Sequence, residues 1–268
     1  MEHRADPSGT PGPPAPSRRA MTLRTLALAA LVAAAPARAN PAAFAPGEES
    51  VLGFTYLGVP SAEGRVSVGQ PAGDVWPVVF QARTQGIAGF IDIREHLVTY
   101  WDATTSLPRG LDVRSYEVGD YHQDTTRFDR VNLKATYERL RRGSRSVRTF
   151  DIPPDVRDLT GALMWLRLQA LEPGRRVEIP VFSGTRQFTL VADVLERETV
   201  ETPAGRFPSL KVQIRTAFEG KFSTKRDSFV WLSDDVRHVP VRMTAEFAVG
   251  TVVVTLKSYR PGTPVAAR

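Results

Sequence analysis

The sequence contains no cysteine and only four histidines. Without cysteine the chain can form no disulfide, thiolate metal site or cysteine nucleophile, and it offers no N-terminal cysteine for lipidation. His96, His122 and His238 lie far apart in the sequence and lack the H-x-x-x-H spacing of metal ligands. We therefore predict that the protein has no metal site and needs no cofactor.

Motifs of catalysis are also missing. The sequence has neither the G-x-S-x-G turn of a serine nucleophile nor a glycine-rich phosphate loop or nucleotide fingerprint. Three acidic pairs could act as general acid and base, but turn formation, helix capping and a solvated hairpin flank explain them more simply: Asp234 with Asp235, Asp155 with Asp158, and Glu198 with Glu201. We predict no catalytic residue and no enzymatic activity.

Long hydrophobic runs are confined to the N-terminus. Residues 1–20 are rich in proline, glycine and arginine, and Met21 is a more ordinary start for the apolar segment after it. Arg24, an apolar run from Leu26 to Ala35 and the small-x-small site Ala37-Arg38-Ala39 together predict a secretory signal peptide cleaved near Ala39. After Asn40 no apolar run approaches the roughly 18 residues of a membrane span. We expect an exported, periplasmic protein without a transmembrane helix.

The formal net charge of +6 is partly a property of this leader, which contains five arginines, so a nucleic-acid partner is not predicted. The remaining chain has no internal repeat and no long proline- or serine-rich linker. We expect one β-rich domain over residues 40–260 and a loose tail at 261–268.

Alternation of apolar and polar residues predicts strands through most of this domain. It is clearest from Val177 to Tyr259, where short turns separate consecutive strands. The segments predicted as strands in the first half are Val51–Leu57, Arg65–Val68, Val75–Thr84, Ile93–Trp101, Leu111–Val118, Tyr121–Phe128 and Leu133–Leu140. Short connections favour antiparallel pairing of sequential strands.

One helix interrupts the strands near residues 155–171. Pro153-Pro154 precedes it, Asp155 or Asp158 can cap its start, and Pro173-Gly174 ends it. A single helix among many strands is typical of a helix packed onto, or filling, a curved sheet. The predicted fold is mainly β: a single curved antiparallel sheet or incomplete β-barrel with one covering α-helix.

Several phrases in the sequence resemble the DUF3108 family of bacterial exported proteins, over essentially the whole mature chain. They are F-A-P-G-E from Phe44, P-D-V-R-D-L from Pro154, T-P-A-G-x-F from Thr202, W-L-S-D-D from Trp231 and H-V-P-V from His238. Gly161 and Trp165 depart from the family pattern in the helix. The resemblance implies a lipocalin-like or lipoprotein-carrier-like sheet with a covering helix; the family has no known function, so it implies no catalytic residues.

Large apolar residues on the predicted inner face are candidates for lining a ligand cavity. They are Trp76, Phe80, Leu163, Phe188, Trp231 and Phe247. Alternation alone cannot distinguish a filled core from a lined pocket, so core packing remains the alternative for each of them.

A basic segment from Lys134 to Arg148 is the second candidate site. Its cations are Lys134, Arg139, Arg141, Arg142, Arg145 and Arg148, opposed by Glu138 within the segment. In an exported protein such a segment can meet an anionic membrane surface. The alternative is an exposed hairpin or loop whose charges protect a sheet edge from pairing.

These observations leave two functional hypotheses. In the first, the protein is a non-enzymatic periplasmic carrier that binds a lipid or other apolar ligand on the concave face of its sheet. In the second, it is a structural or assembly protein of the cell envelope that acts through protein–protein contacts. An elongated apolar cavity favours the first hypothesis, and a filled core favours the second.

Overall fold

The computed structural model describes residues 43–86, 92–217, 228–247 and 250–264. The predicted leader and signal peptide, the cleavage site and the last residues of the predicted tail lie outside this part of the chain. The strands are β1 (Glu49–Tyr56), β2 (Val59–Val68), β3 (Val75–Thr84), β4 (Ile93–Asp102), β5 (Leu107–Glu117), β6 (Asp120–Asp129), β7 (Lys134–Arg141), β8 (Ser144–Asp151), β9 (Arg176–Phe182), β10 (Gln187–Thr202), β11 (Gly205–Ala217), β12 (Ser228–Ser233), β13 (Pro240–Phe247) and β14 (Gly250–Arg260). The helix α1 (Leu159–Arg167) lies between β8 and β9.

All fourteen strands belong to one antiparallel sheet in the order β8-β7-β6-β5-β4-β3-β2-β1-β14-β13-β12-β11-β10-β9. Nearly every strand pairs with its neighbours in sequence, as the short turns predict. There are two exceptions: β8 and β9 form the two edges of the sheet, and at the centre β1 pairs with β14 and places Glu49 opposite Arg260. The sheet thus consists of two runs of hairpins joined side by side.

The helix contacts β9, at one edge of the sheet, as well as β4 and β5, which lie far away in strand order. A flat sheet could not meet one short helix at such distant strands, so the sheet must curve around it. This confirms the predicted curved, open antiparallel sheet with a single covering helix.

The helix begins after Asp158, one of the two residues that the sequence offers as its cap. Asp158 is the N-cap, and its carboxylate accepts a hydrogen bond from the Gly161 N–H at 3.0 Å. The helix ends at Arg167, with Leu168 as its C-cap, and is therefore shorter at both ends than the predicted span of 155–171. Asp155 and Val156 precede the helix because Arg157 has extended backbone and pairs with Val181 of β9.

The two edges of the open sheet approach each other through this segment. The Arg157 N–H donates to the Pro180 carbonyl at 2.9 Å, and the Phe182 N–H donates to the Arg157 carbonyl at 2.8 Å. Beside them the rings of Phe150 in β8 and Phe182 lie 5.3 Å apart. We call this contact between Phe150–Arg157 and Pro180–Gln187 the seam.

Strand β8 was not among the predicted strands. Most of its side chains are exposed and polar, so no apolar alternation marks it. It forms because it pairs with β7 through a tight turn at Arg142-Gly143, both residues having positive φ. In the part of the chain that the structure describes, no helix is long and apolar enough to cross a membrane.

Candidate functional site: an apolar cavity on the concave face

An apolar cavity of about 390 Å³ lies between helix α1 and the concave face of the sheet. Helix residues Leu159, Ala162, Leu163 and Leu166 form one wall. The opposite wall consists of strand residues that are apolar except for Ser228 and Thr244: Phe54, Phe80, Ile179, Leu190, Ile214, Phe229, Val230, Met243, Ala245, Val252 and Val254. Its volume is within the range of small-molecule sites.

Strand register explains why these residues share one face. Directly paired residues of neighbouring strands point to the same side of a sheet. One such row crosses the six strands from β10 to β1 through Val194, Val212, Val230, Met243, Val254 and Phe54. Because Val194, Val212 and Val230 pack in the same buried cluster as Ala162 and Leu166 of the helix, this row identifies the concave face.

Further along the helix the concave face is filled rather than hollow. Phe44 packs edge-on against Trp76 and Trp101, with ring centroids 6.2 and 5.7 Å away. Met164 and Leu168 of the helix complete this cluster. The aromatic cluster thus fills the space around the C-terminal half of the helix.

The structure divides the six predicted cavity residues. Phe80 and Leu163 line the cavity. Phe188 packs against the cluster beneath the helix on the same face but does not line the cavity. Trp76 belongs to the filled aromatic cluster. The side chain of Phe247 lies outside the described part of the chain.

Trp231 does not share the cavity face. It stands between Val230 and Leu232, both of which pack toward the helix, so alternation turns its ring to the convex face. There it lies beneath the cations of Lys211 and Arg242, and its indole N–H donates to Glu198. Glu198 is therefore a hydrogen-bond acceptor for this ring and not merely the solvated hairpin flank that its sequence context predicts.

A second, more polar cavity of about 260 Å³ adjoins the first at Leu159, which lines both. Its wall includes the polar residues Asp124, Tyr137, Arg139, Asp158, Thr126, Thr160, Ser183 and Thr185 and the apolar residues Leu97, Leu111, Val113 and Phe182. Arg139 donates to Asp124 through Nε at 2.7 Å and through a terminal nitrogen at 2.5 Å. The hydrogen bond to Asp124 raises the pKa of Arg139, and desolvation is the main cause that raises the pKa of Tyr137 to about 12.

The segment before the helix contains a buried carboxyl group beside this polar cavity. Asp158 is 1% exposed and accepts hydrogen bonds from the Thr99 hydroxyl at 2.9 Å and from the Gly161 N–H. Burial raises the pKa of Asp158. The neighbouring Arg157 lies over the ring of Trp165 at 4.4 Å, and desolvation lowers its pKa to about 10. The P-D-V-R-D-L phrase thus caps the helix and covers the β9 edge.

A buried ion pair between Glu48 and Arg167 fixes the other end of the helix, and no sequence signal identified it. Their charged atoms are 2.7 Å apart, with side chains 5% and 3% exposed. Arg167 also donates to the carbonyls of Ala43, at 2.8 Å, and Arg237, at 3.0 Å. Glu48 closes the F-A-P-G-E phrase, and the one available hint was that this phrase ends in a charge beside an apolar strand.

The turn phrases have structural roles, as the sequence predicts. In W-L-S-D-D the Ser233 hydroxyl donates to Asp235 and accepts from the Val239 N–H, each at 2.8 Å. Asp234 instead accepts from Arg197, so the two aspartates have different partners and do not form a carboxylate pair. In T-P-A-G, Thr202 accepts from the Ala204 N–H at 3.1 Å within a hairpin turn.

Most cations of the basic segment have acidic partners on adjacent strands. Arg139 pairs with Asp124, Arg141 and Arg142 pair with Asp120, Arg145 pairs with Glu138, and Lys134 pairs with Asp151. Arg148 has no hydrogen-bond or ion-pair partner among the described residues. These pairs reduce the positive field of the β7–β8 hairpin, which lies at the sheet edge as the alternative interpretation of the segment expects.

Among the described residues, no three histidine, aspartate or glutamate side chains are arranged to hold a metal ion. His238 is buried, and its Nδ1 lies 2.9 Å from the Arg167 carbonyl. It therefore belongs to the structural network at the end of the helix.

Comparison with known proteins places the chain among proteins of similar sequence and fold. A family model described as "Protein of unknown function (DUF3108)" matches residues 53–257. A crystal structure of a β-barrel-like protein with the domain of unknown function DUF1849, from Brucella abortus, is similar with a TM-score of 0.59 and 10% identity, covering 82% of this chain and 99% of that one. A hypothetical protein from Chlamydia trachomatis, CT021, has a TM-score of 0.35 at 11% identity, covering 85% of this chain and 95% of that one. No curated protein matches the sequence. The Brucella structure supports the fold alone, and none of these descriptions names a reaction.

Proposed function

The chain belongs to the DUF3108 family of proteins of unknown function, and we propose that it is a non-enzymatic, exported protein that binds an apolar ligand on the concave face of its sheet. The observation that carries this proposal is the apolar cavity of about 390 Å³ beneath helix α1. A monomeric core normally closes around its own side chains, because empty space forfeits dispersion contacts.

The wall chemistry supports an apolar ligand. The strand residues on the wall present methyl, thioether and phenyl groups, and burying such surface contributes roughly 25 cal/mol per Å². Leu159, at the mouth between the two cavities, is 53% exposed although it is a leucine on the helix. A bound acyl chain would cover this side chain and complete the packing of the first helical turn.

The proposal also includes export of the protein and its contact with an envelope membrane. Export is supported by the signal-peptide pattern of the first 39 residues. The β7–β8 hairpin is proposed to meet an anionic membrane surface. Its contribution is small, because most of its cations are already paired, and Arg148 at its exposed edge is the side chain most available for such contact.

Ligand binding can be tested by filling the cavity. Val252 lines it, whereas the next residue, Val253, points to the opposite face of β14. We expect Val252→Trp to weaken binding of a fluorescent fatty-acyl probe at least about tenfold, the equivalent of roughly 1.4 kcal/mol. Val253→Trp should bind like the wild type. Fluorescence titration of the purified mature proteins measures both.

The paired design separates blocking from misfolding, because the same side chain is introduced at adjacent positions of one strand. Both variants should keep the circular dichroism spectrum of the wild type. A wild-type protein that binds no acyl probe would reject the proposal, and so would equal binding by both tryptophan variants.

A further inference from the structure

We propose, on the basis of the function above, that the ligand is a single-chain amphiphile whose head group is uncharged and bears hydroxyls. Its chain would occupy the apolar cavity, and its head would occupy the polar cavity beside Asp124, Tyr137 and Arg139. A monoacylglycerol is the simplest molecule of this class.

The first argument is position. The two cavities lie on the same concave face and meet at Leu159 in the first turn of the helix. The first cavity is lined almost entirely by apolar side chains, whereas the second also presents hydroxyl, carboxylate and guanidinium groups beside Leu97, Leu111, Val113 and Phe182. A molecule with one apolar and one polar end matches this difference, whereas a hydrocarbon would leave the polar side unused.

The second argument is charge. Among the described residues of the polar wall, the ionised pair is Asp124 with Arg139, and two hydrogen bonds already join them. The pair has no net charge, so an anionic head group would gain little attraction from it unless it displaced Asp124 and left that carboxylate, which is 14% exposed, without its cation.

The third argument is hydrogen bonding. A hydroxyl both donates and accepts, so it can bond to the ion pair without breaking it. Arg139 has N–H groups beyond the two that Asp124 accepts, and Thr160 contributes a hydroxyl from the helix side. A glycerol head can therefore be satisfied on both walls of the polar cavity.

The test compares three ligands with the same chain: 1-oleoylglycerol, oleate and methyl oleate. We expect the wild type to bind 1-oleoylglycerol at least about tenfold more tightly than oleate. Removing single hydroxyls by Tyr137→Phe and Thr160→Val should each weaken binding of 1-oleoylglycerol by about fivefold and leave methyl oleate unchanged, since one hydrogen bond is lost. Thr136→Val, on the opposite face of β7, is the matched control and should bind all three like the wild type.

The outcomes separate the two proposals. Oleate binding as tight as that of 1-oleoylglycerol, or unchanged 1-oleoylglycerol binding in both hydroxyl variants, overturns the head-group assignment and leaves the apolar site in place. Failure to bind any of the three ligands overturns the apolar site itself. Val252→Trp should weaken the binding of all three ligands, whereas the hydroxyl variants should weaken only that of 1-oleoylglycerol. This difference would place the chain and the head in different parts of the site.

Discussion

At the scale of single residues, the most consequential side chains are those that no motif announced. Arg167 and Glu48 are nearly fully buried, and their pair joins the helix to the segment before β1. Tyr259 of β14 donates to the same carboxylate at 3.3 Å, and burial raises the pKa of this tyrosine to about 12. One ion pair thus connects the beginning, the middle and the end of the described chain.

Glu48→Ala should be strongly destabilising, because it leaves the Arg167 cation buried without its partner. The expected loss of unfolding free energy is about 3–5 kcal/mol. Urea denaturation followed by circular dichroism measures it. The matched control is Glu49→Ala, at the next position, where the partner Arg65 has a side chain 52% exposed. That change should lower the free energy of unfolding by less than about 1 kcal/mol. Equal losses in the two variants would mean that burial does not make the Glu48–Arg167 pair more important for stability than an exposed pair.

The sequence predicted which residues form turns and helix caps, but it did not predict which face of the sheet a side chain occupies. Asp158 and Ser233 could be assigned because capping and turn formation depend on nearby backbone. Trp231 could not, because alternation says only that neighbours point to opposite sides and not which side is enclosed. The partner of Glu48 could not be predicted either, since it lies 119 residues away in the sequence.

At the scale of elements, the segment between β8 and the helix does more than connect them. Through Arg157 it hydrogen-bonds to the β9 edge, while Phe150 and Phe182 pack beside it. An exposed edge strand invites pairing with other chains, and this segment covers it. The sequence offered Asp155 and Asp158 as alternative helix caps but could not reveal that the residues before the helix cover the β9 edge, because that role depends on a strand further along the chain.

Gly184 lies in the seam, close to the ring of Tyr137. Its φ is +72°, and an added Cβ would lie 2.9 Å from the Tyr137 ring. Gly184→Ala should therefore combine backbone strain with displacement of the tyrosine. Gly143, at the β7–β8 turn, has a similar φ of +75° and open space around it. Gly143→Ala should cost only the strain, about 1–2 kcal/mol.

Thermal unfolding of these two alanine variants separates the contributions. Gly184→Ala is expected to unfold at a clearly lower temperature than Gly143→Ala, and amide hydrogen exchange should rise in β9 only for the former. If the two variants lose the same stability, Tyr137 moves without consequence and the seam is not tightly packed.

Strand β8 illustrates the limit of element prediction. Its sequence is charged on both faces, so it has no apolar period, and its identity depends on hydrogen bonds from β7. Strand β3 has a clear apolar face, and its predicted bounds, Val75–Thr84, match the structure.

At the scale of the whole molecule, the sequence was sufficient for the fold class because short turns force sequential antiparallel pairing. It could not predict the pairing of β1 with β14, which brings together residues such as Thr55 and Val253, 198 positions apart. It also could not predict the cavity. Whether the helix fills the concave face depends on the curvature of the sheet, which no local pattern encodes.

The central position of the β1–β14 pair predicts the behaviour of a circular permutant. Thr263 donates to the Pro46 carbonyl at 2.9 Å, so a short linker can join these regions. A permutant opened at the exposed turn Pro173-Gly174 converts the β1–β14 pair into a hairpin. The entropic free-energy cost of bringing β1 and β14 together should fall by about 2–3 kcal/mol, because a short linker replaces the long loop between them. Refolding, followed by stopped-flow fluorescence, should therefore be faster. A second permutant, opened at Arg142-Gly143, should refold equally fast; dependence on the opening site would point to another cause.

The central β1–β14 pair also bears on how the protein reaches its final state if it is exported as proposed. A chain that crosses a membrane through a secretion pore enters the new compartment from its N-terminus onward. Strand β1 would therefore arrive first and wait, with one edge unpaired, until β14 follows at the very end. During that interval the half-formed sheet presents apolar Leu52 and Phe54 to its surroundings. Because an unpaired strand edge can pair with other chains, this topology leaves an exported chain open to wrong pairing until β14 arrives.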